Sequence, residues 1–210
     1  MKDYYAARAN EYDNIYLKPE RQDDLQDIRA WLTAELTGRK VLEIACGTGY
    51  WTQFYAPSAQ RVVAVDAADE TLVIAAERVS PNVQLLQGDA FDLPAFDMSF
   101  DAAFAGFWWS HISRKDIVRF LTGLHGSLEP GAEIIFLDNR FVPGSSTPIA
   151  EQDAAGNTYQ RRALQDGSTH RVLKNFPTRE QLLADISPHA KLSQYCEWEY
   201  FWALKYSLKR

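Results

Sequence analysis

Five short apolar runs alternate with stretches of helical spacing, and this alternation constrains the fold of the 210-residue chain more than any other feature. The runs are residues 41–44, 62–65, 83–86, 102–107 and 134–137. Short strands that are apolar throughout are typical of a parallel sheet covered by helices on both faces. We therefore predict an α/β fold in which these runs form one doubly wound, mostly parallel sheet.

Two proline-containing segments predict where helices end. The spacing of apolar residues favours helices over 70–79 and 115–128. The segments 80–82 (SPN) and 128–131 (LEPG) follow, and proline disfavours helical backbone in the residue before it. We expect the chain to leave each helix there and to enter the next strand.

The sequence after Asn139 changes character. Residues 158–176 alternate as two polar strands around Asp166-Gly167, a dipeptide typical of hairpin turns. A helix at 178–186 and a last strand near 198–206 are predicted to follow. The sheet therefore gains an inserted β-hairpin and an antiparallel C-terminal strand.

The whole chain is expected to form a single domain, because 210 residues bury one large core. Within it, residues 1–30 are expected to form an N-terminal helical lid, and 140–176 to carry the hairpin insertion on the substrate side.

Charge and composition narrow the class of partner. The formal net charge is −6, whereas proteins that coat nucleic acid need a surplus of lysine and arginine. No apolar run approaches the roughly 18 residues of a membrane span, and the N-terminus has no apolar leader. Cys46 and Cys196 lack metal-ligand spacing. We expect a cytoplasmic domain that acts on a small molecule, without nucleic acid, membrane or metal; the oligomeric state cannot be predicted.

The turn after the first strand, VLEIACGTGYW at 41–51, predicts the kind of ligand. A dinucleotide fingerprint requires glycine at 45, 47 and 50, but the chain has Ala45 and Tyr50. The lysine of a phosphate-binding loop is absent as well. Glu43 repels phosphate and attracts a cationic group. The turn therefore favours a ligand other than a pyrophosphate.

This turn and four later segments resemble, in order, the class I S-adenosylmethionine-dependent methyltransferases. The segments are VLEIACGTGYWT, VVAVDAADE, LQGDAFDLP, FDAAFAGFWWSHIS and LEPGAEIIFLDN. The resemblance implies a Rossmann-like methyltransferase sheet and S-adenosylmethionine (SAM) as cofactor. Ala45 departs from the pattern, because the family usually has glycine there.

The resemblance also implies roles for individual residues. Glu43 and the turn would hold the methionine end of SAM, Asp66 the ribose hydroxyls and Asp89 the adenine amino group. The alternative for Asp66 and Asp89 is that they cap helices. The expected cofactor-binding residues are Tyr5, Tyr12, Glu43, Ala45, Gly47, Gly49, Trp51, Asp66, Ala67, Asp89, Ala90, Phe91 and Phe107.

Aromatic and basic residues are the substrate candidates. His111 follows the fourth strand and is expected to act as a base or an orienting donor, although a structural role fits as well. Trp108 and Trp109 point to opposite sides of an extended segment, so one belongs to the core, and Trp108 is favoured for the pocket. The expected substrate residues are Tyr16, Trp108, His111, Arg162 and Lys174.

The segments YYAARANEYD, LEIACGTGYWT and RRALQDGSTHRVLKNF are similar to the phosphonate O-methyltransferases of dehydrophos biosynthesis. This similarity implies an acidic oxygen as methyl acceptor. A two-residue turn in the hairpin would place Arg162 opposite Arg171, with Lys174 and Arg161 on the other face. A three-residue loop would place Arg162 and Lys174 on one face. The alternative is an exposed hairpin whose charges only keep it soluble.

The predicted function is therefore SAM-dependent methyl transfer to a small molecule, refined to a phosphonate, phosphate or carboxylate oxygen. Two alternatives stay open. A noncatalytic SAM-binding protein would carry the same motifs, and an NAD-dependent oxidoreductase shares the sheet but is opposed by Ala45 and Tyr50.

Overall fold

The computed structural model describes the backbone of residues 9–164 and 167–209, with side chains from residue 13 onward. The strands in this part of the chain are β1 (Lys40–Ile44), β2 (Arg61–Asp66), β3 (Val83–Gln87), β4 (Phe100–Gly106), β5 (Leu128–Asn139), β6 (Glu151–Gln152), β7 (Thr158–Ala163), β8 (Thr169–Leu173), β9 (Ala190–Glu197) and β10 (Phe201–Leu208). The helices are α1 (Gln22–Leu36), α2 (Thr52–Tyr55), α3 (Asp69–Ala76), α4 (Ile117–Gly126) and α5 (Arg179–Ile186). Short 3₁₀ segments lie at Ala9–Tyr16, Pro19–Arg21, Ala56–Ser58, Trp109–His111 and Arg114–Asp116.

Seven strands form the main sheet in the order β3-β2-β1-β4-β5-β10-β9. The first five are parallel to one another, and β10 pairs antiparallel with both β5 and β9. The strand order reverses between β1 and β4, and ligands of such sheets bind at this point, beyond the carboxyl ends of the strands. The predicted α/β fold with an antiparallel C-terminal region is confirmed.

Both faces of the sheet are buried because its strands alternate apolar side chains between two cores. Val41 points to the core that contains α1, whereas Leu42 and Ile44 point to the core that contains α4. The α1 side is filled by Leu25, Ile28, Leu32 and Leu36, and the α4 side by Ile117, Phe120, Leu121 and Leu124. No helix within the described residues has the length and apolar character needed to cross a membrane.

Three boundaries differ from the predicted ones. Helix α1 continues to Leu36 with a buried face, so residues 22–30 belong to a core helix rather than to a lid. Helix α4 ends at Gly126, and the segment 128–131 lies in β5, where the pairing with β4 is irregular and tolerates a proline. Strand β9 was not predicted, because an edge strand with mostly exposed residues lacks the apolar signal.

The hairpin takes the register of a three-residue loop. Arg162 pairs with His170, and Arg161 pairs with Arg171. The Leu164 amide donates to the Ser168 carbonyl at 2.9 Å, in agreement with this register; residues 165 and 166, and so Asp166, lie outside the described residues. Arg162 and Lys174 therefore share one side of the hairpin, and the predicted alternative with Arg162 opposite Arg171 is wrong.

Candidate functional site

Two adjoining cavities lie at the carboxyl ends of the parallel strands. The first has a volume of about 510 Å³ and is bordered by the turn after β1, the end of β2 and the segments after β3 and β4. Ten residues expected at the site line it: Ala45, Gly47, Asp66, Ala67, Asp89, Ala90, Phe91, Phe107, Trp108 and His111. Arginine and lysine are absent from its described lining, so a cationic ligand would meet no repulsion from the walls.

The turn after β1 has a left-handed backbone, which favours glycine, at its alanine as well as at its glycine. Ala45 and Gly47 both have a φ of 55°. An L-residue in this left-handed region loses roughly 1–2 kcal/mol relative to the right-handed region. The Gly47 amide donates to Asp66 Oδ2 at 2.8 Å, and the Cys46 amide to the Val65 carbonyl at 3.1 Å. These bonds to β2 hold the strained turn in place.

Asp66 fixes the wall of the cavity at the end of β2. Besides the Gly47 amide, its carboxylate accepts from the Ala68 amide at 2.9 Å and from Thr71 Oγ1 at 3.2 Å. Burial raises the pKa of Asp66, and these donors partly oppose that rise. Helix α3 has Ala68 as its N-cap and no side-chain cap, so Asp66 does not cap it; the carboxylate instead supports the turn and lines the cavity.

A flat apolar slot follows β3. Asp89 Oδ1 accepts from the Phe91 amide at 2.9 Å, which orients the carboxylate at the slot. The Phe91 ring lies edge-on to Trp108, with centroids 5.9 Å apart. A Cβ at Gly88 would lie 2.9 Å from Val65 Cγ1, so the backbone passes too close to β2 for any side chain. The slot suits a planar ring with one polar edge.

Glu43 lies beneath the turn and does not line the cavity. It is buried, and its Oε2 accepts from Thr52 Oγ1 at 2.7 Å and from the Tyr55 hydroxyl at 2.6 Å. Burial raises the pKa of Glu43 to about 7, although the two hydroxyls partly oppose the shift.

Glu43→Gln should flatten the pH dependence of stability. The folded state holds the Glu43 proton more tightly than the unfolded chain, whose pKa is near 4.5. Its contribution to stability is therefore complete below pH 4.5 and is lost as the pH rises through about 7, by on the order of 3 kcal/mol. The measurement is urea unfolding from pH 4 to 8, with the exposed Glu70→Gln as control. As the pH rises, the free energy of unfolding of Glu43→Gln should increase relative to that of the wild type. An unchanged slope would contradict the assignment.

Three other expected residues, Gly49, Trp51 and Tyr16, do not line the first cavity. Gly49 packs on α3, where an added Cβ would lie 3.1 Å from Ala75 Cβ, and its φ of 72° also requires glycine. Trp51 and Tyr16 are buried in an aromatic cluster, with centroids 5.8 Å apart. Tyr5 and the side chain of Tyr12 lie outside the described residues.

The second cavity has a volume of about 380 Å³ and is strongly basic. Phe107 and His111 line both cavities. The basic residues that line the second one are Lys18, Arg21, Arg161, Arg162 and Lys174. Its described lining contains no aspartate or glutamate. Such a concentration of positive charge in a chain of net charge −6 favours an anionic ligand.

Arg21 was missed by sequence reasoning. It is only 6% exposed, and its guanidinium donates to Asn139 Oδ1 at 3.2 Å and to Ser145 Oγ at 2.9 Å. The same group lies over the ring of Tyr200 at 5.4 Å. These partners are more than 100 residues away along the chain, so no local pattern distinguishes Arg21 from a surface arginine.

Arg162 and Lys174 both line the second cavity, but they differ in whether a neighbouring carboxylate balances their charge. Arg162 donates to Gln160 Oε1 at 2.7 Å and makes no ion pair within the described residues. Lys174 Nζ is buried and donates to Asp138 Oδ1 at 2.8 Å and to Ser110 Oγ at 2.6 Å. Burial lowers the pKa of Lys174, and the charge of Asp138 partly restores it. The charge of Lys174 is therefore already balanced, whereas that of Arg162 is not.

His111 is neutral between the two cavities. Its Nδ1 lies 2.6 Å from the Leu173 carbonyl, which only accepts, so Nδ1 carries the proton. Burial, followed by the charges of Lys174 and Arg162, lowers the pKa of His111 well below its ordinary value. Its neighbour Trp109 packs in the core against Phe136, with ring centroids 4.8 Å apart.

Known proteins are similar to this chain in sequence and in overall fold. Residues 41–131 match the methyltransferase domain family. The demethylmenaquinone methyltransferase of Staphylococcus carnosus (strain TM300) is 35% identical over 107 residues, which are 48% of this chain and 43% of that protein. The match thus spans less than half of that relative's length.

Two solved structures are similar over nearly the whole chain. A DhpI-SAH complex has a TM-score of 0.81 and 27% identity, covering 99% of this chain and 94% of that one. A DhpI-SAM-HEP complex has a TM-score of 0.80 and 26% identity, covering 97% and 94%. Because residues 41–131 match the methyltransferase domain family and the likeness to DhpI extends over almost the entire fold, this chain is similar in sequence and in fold to the class I S-adenosylmethionine-dependent methyltransferases.

Proposed function

We propose that this chain binds SAM in the first cavity and transfers its methyl group to an anionic small molecule held in the second. One observation carries the proposal: a cavity without positive charge adjoins a strongly basic one, and Phe107 and His111 line both. A methyl donor and its acceptor must meet, so two neighbouring cavities with shared walls suit a transfer reaction.

The first cavity fits SAM in size and in chemistry. Its volume is within the range of cofactor sites. Asp66 would accept from the ribose hydroxyls, Asp89 from the adenine amino group, and Phe91 would cover the adenine ring. The Ala45 to Gly47 turn would approach the methionine end. Gly106 also lines this cavity, and a Cβ there would lie 2.9 Å from Trp51 Cδ1, so the end of β4 needs glycine to pack against Trp51.

When bound, SAM supplies an electrophilic methyl group on a sulfonium. The task of the chain is then to orient the acceptor, to exclude water and to handle any proton. An anionic oxygen has no proton to lose, and the unprotonated Nε2 of the neutral His111 can only accept a hydrogen bond, so the basic residues of the second cavity would orient such an acceptor. A hydroxyl acceptor would instead use the neutral imidazole as a base.

The second cavity supports an anionic acceptor. Arg21 and Arg162 come from separate segments and present planar guanidinium groups, which suit phosphonate, phosphate or carboxylate oxygens. Lys174, already paired with Asp138, would contribute less than either arginine. Lys18, which donates to the Ser145 carbonyl, completes the basic wall.

The segment before α1 would serve as the cover of both cavities. Asp13 accepts from Thr48 in the glycine turn at 2.6 Å and pairs with Arg78. The Tyr16 ring stacks on Tyr50. We propose that this segment, together with Tyr5 and Tyr12, closes over SAM once it is bound.

The direct test is an acceptor panel. The purified protein would be incubated with SAM and with phosphonates, phosphates, carboxylates, neutral alcohols and amines, and products would be identified by mass spectrometry. We expect methyl esters of the anionic acceptors and release of S-adenosylhomocysteine (SAH). Turnover of neutral acceptors alone would refute the acceptor class, and absence of SAM binding would refute the whole proposal.

Asp66→Asn should weaken SAH binding by about tenfold to a hundredfold. The amide keeps the shape but removes the charge and one acceptor, and a hydrogen bond to a charged group contributes roughly 1.5–3 kcal/mol. Asp66→Ala should lose more, because the Gly47 and Ala68 amides also lose their acceptor. Calorimetric titration, with the exposed Asp69→Asn as control, measures the effect. Wild-type affinity in both variants would exclude Asp66 from the site.

A further inference from the structure

Phe107 has a backbone conformation that is rare for its residue type. Its φ is 60°, in the left-handed region, and its side chain is buried. Bulky side chains are genuine outliers in this region, and such strain concentrates at functional sites. The residue follows β4 directly, and its amide donates to the Leu137 carbonyl of β5 at 2.7 Å.

Three rings hold the Phe107 side chain. Tyr16 and Phe201 both stack on it, with centroids 5.6 Å and 5.7 Å from that of Phe107. Trp51 meets it edge-on at 5.8 Å. These neighbours come from the N-terminal segment, from β10 and from the turn after β1. Contacts with three separate parts of the chain therefore compensate the backbone strain.

The ring lies where the two cavities meet. Phe107 and His111 line both, and Lys174 Nζ lies 6.0 Å from the Phe107 ring centroid. A negative φ would redirect the Cα–Cβ bond and take the ring out of its stack. The left-handed backbone is thus what keeps an apolar ring between the cofactor cavity and the basic one.

We propose that Phe107 is a positioning residue that partitions the two cavities and fixes the passage in which the acceptor oxygen meets the methyl group. The inference rests on the proposed function. Displacement at the methyl carbon requires approach along one line, so a wall that narrows the passage favours the reactive alignment. The ring would also separate the sulfonium from the water in the basic cavity. Without the ring, that water would compete with the acceptor for access to the methyl group.

Three variants test the effect of the Phe107 ring separately from the effect of the backbone strain. Phe107→Ala keeps the strained backbone and removes the ring, Phe107→Gly removes both, and Phe107→Tyr keeps the ring. With the best acceptor of the panel, we expect Phe107→Ala to lose about a hundredfold in kcat, with SAH affinity and acceptor KM changing less than about threefold. Phe107→Tyr should restore kcat to near the wild-type value.

Thermal unfolding tests the strain independently of turnover. Glycine normally destabilises relative to alanine, but at a left-handed position the order reverses. We expect Phe107→Gly to melt about 2 °C above Phe107→Ala.

The proposed role of the Phe107 ring would be overturned if Phe107→Ala kept the wild-type kcat. It would also be overturned if kcat fell only by the same factor as the SAH affinity. A melting temperature of Phe107→Ala at or above that of Phe107→Gly would overturn the role of strain. Failure of the proposed function itself looks different, because the wild-type protein would then methylate no acceptor.

Discussion

Replacing Arg21 and Arg162 together by methionine should raise the KM for an anionic acceptor by about a hundredfold or more, while the SAH affinity stays within about threefold of the wild type. Each guanidinium that hydrogen-bonds an oxyanion contributes roughly 1.5–3 kcal/mol, and methionine keeps the apolar stem without the charge. Both arginines line the basic cavity, and neither lines the cofactor cavity. Initial rates with the best acceptor, and calorimetry with SAH, give the two quantities.

Arg171→Met is the matched control. Arg171 lies on the same hairpin, pairs with Glu151 at 2.9 Å and does not line the cavity. Its removal should leave the KM within about twofold. The single variant Arg162→Met isolates the hairpin contribution, because its partner Gln160 lies in the same strand. An unchanged KM in the double variant would refute the anionic acceptor.

Lys174→Met should destabilise the fold by about 3–5 kcal/mol, because it leaves the fully buried Asp138 carboxylate without its counter-charge. This ion pair also fastens the hairpin to β5 and, through Ser110, to the segment after β4. The free energy of urea unfolding gives the effect. The variant Asp138→Asn/Lys174→Met removes both charges and should recover a large part of the loss.

The two interpretations of Lys174 give different outcomes. If Lys174 mainly binds the acceptor, Lys174→Met keeps its stability and raises the KM. If it mainly holds the hairpin, stability falls, and the double variant restores it. A stable Lys174→Met protein would therefore contradict the structural role.

The alternation of apolar runs was enough to predict the parallel strands, because a strand buried on both faces is apolar at most of its positions. Val41 and Leu42 go to opposite cores, but both are apolar, so the prediction does not depend on register. The edge strand β9 lacks this signal and was missed. The local sequence thus predicts strands that are buried on both faces, but not an exposed edge strand.

The candidate site was predictable where one segment supplies both the motif and its ligand contacts. Gly47, Asp66 and Phe91 line the first cavity, and each lies in a short contiguous motif. Arg21 was missed because Asn139, its partner, is 118 residues away along the chain. Lys174 was expected near the acceptor, but only the fold shows that Asp138 balances its charge.

The basic cavity draws all its lysines and arginines from outside the stretch that matches the methyltransferase domain. Lys18 and Arg21 precede residues 41–131, and Arg161, Arg162 and Lys174 follow them. In this arrangement acceptor choice can diverge through two peripheral segments, while the shared stretch stays constrained by its cofactor. Two chains with equally good domain matches can then differ completely in what they methylate, so identity within 41–131 is a poor guide to the acceptor.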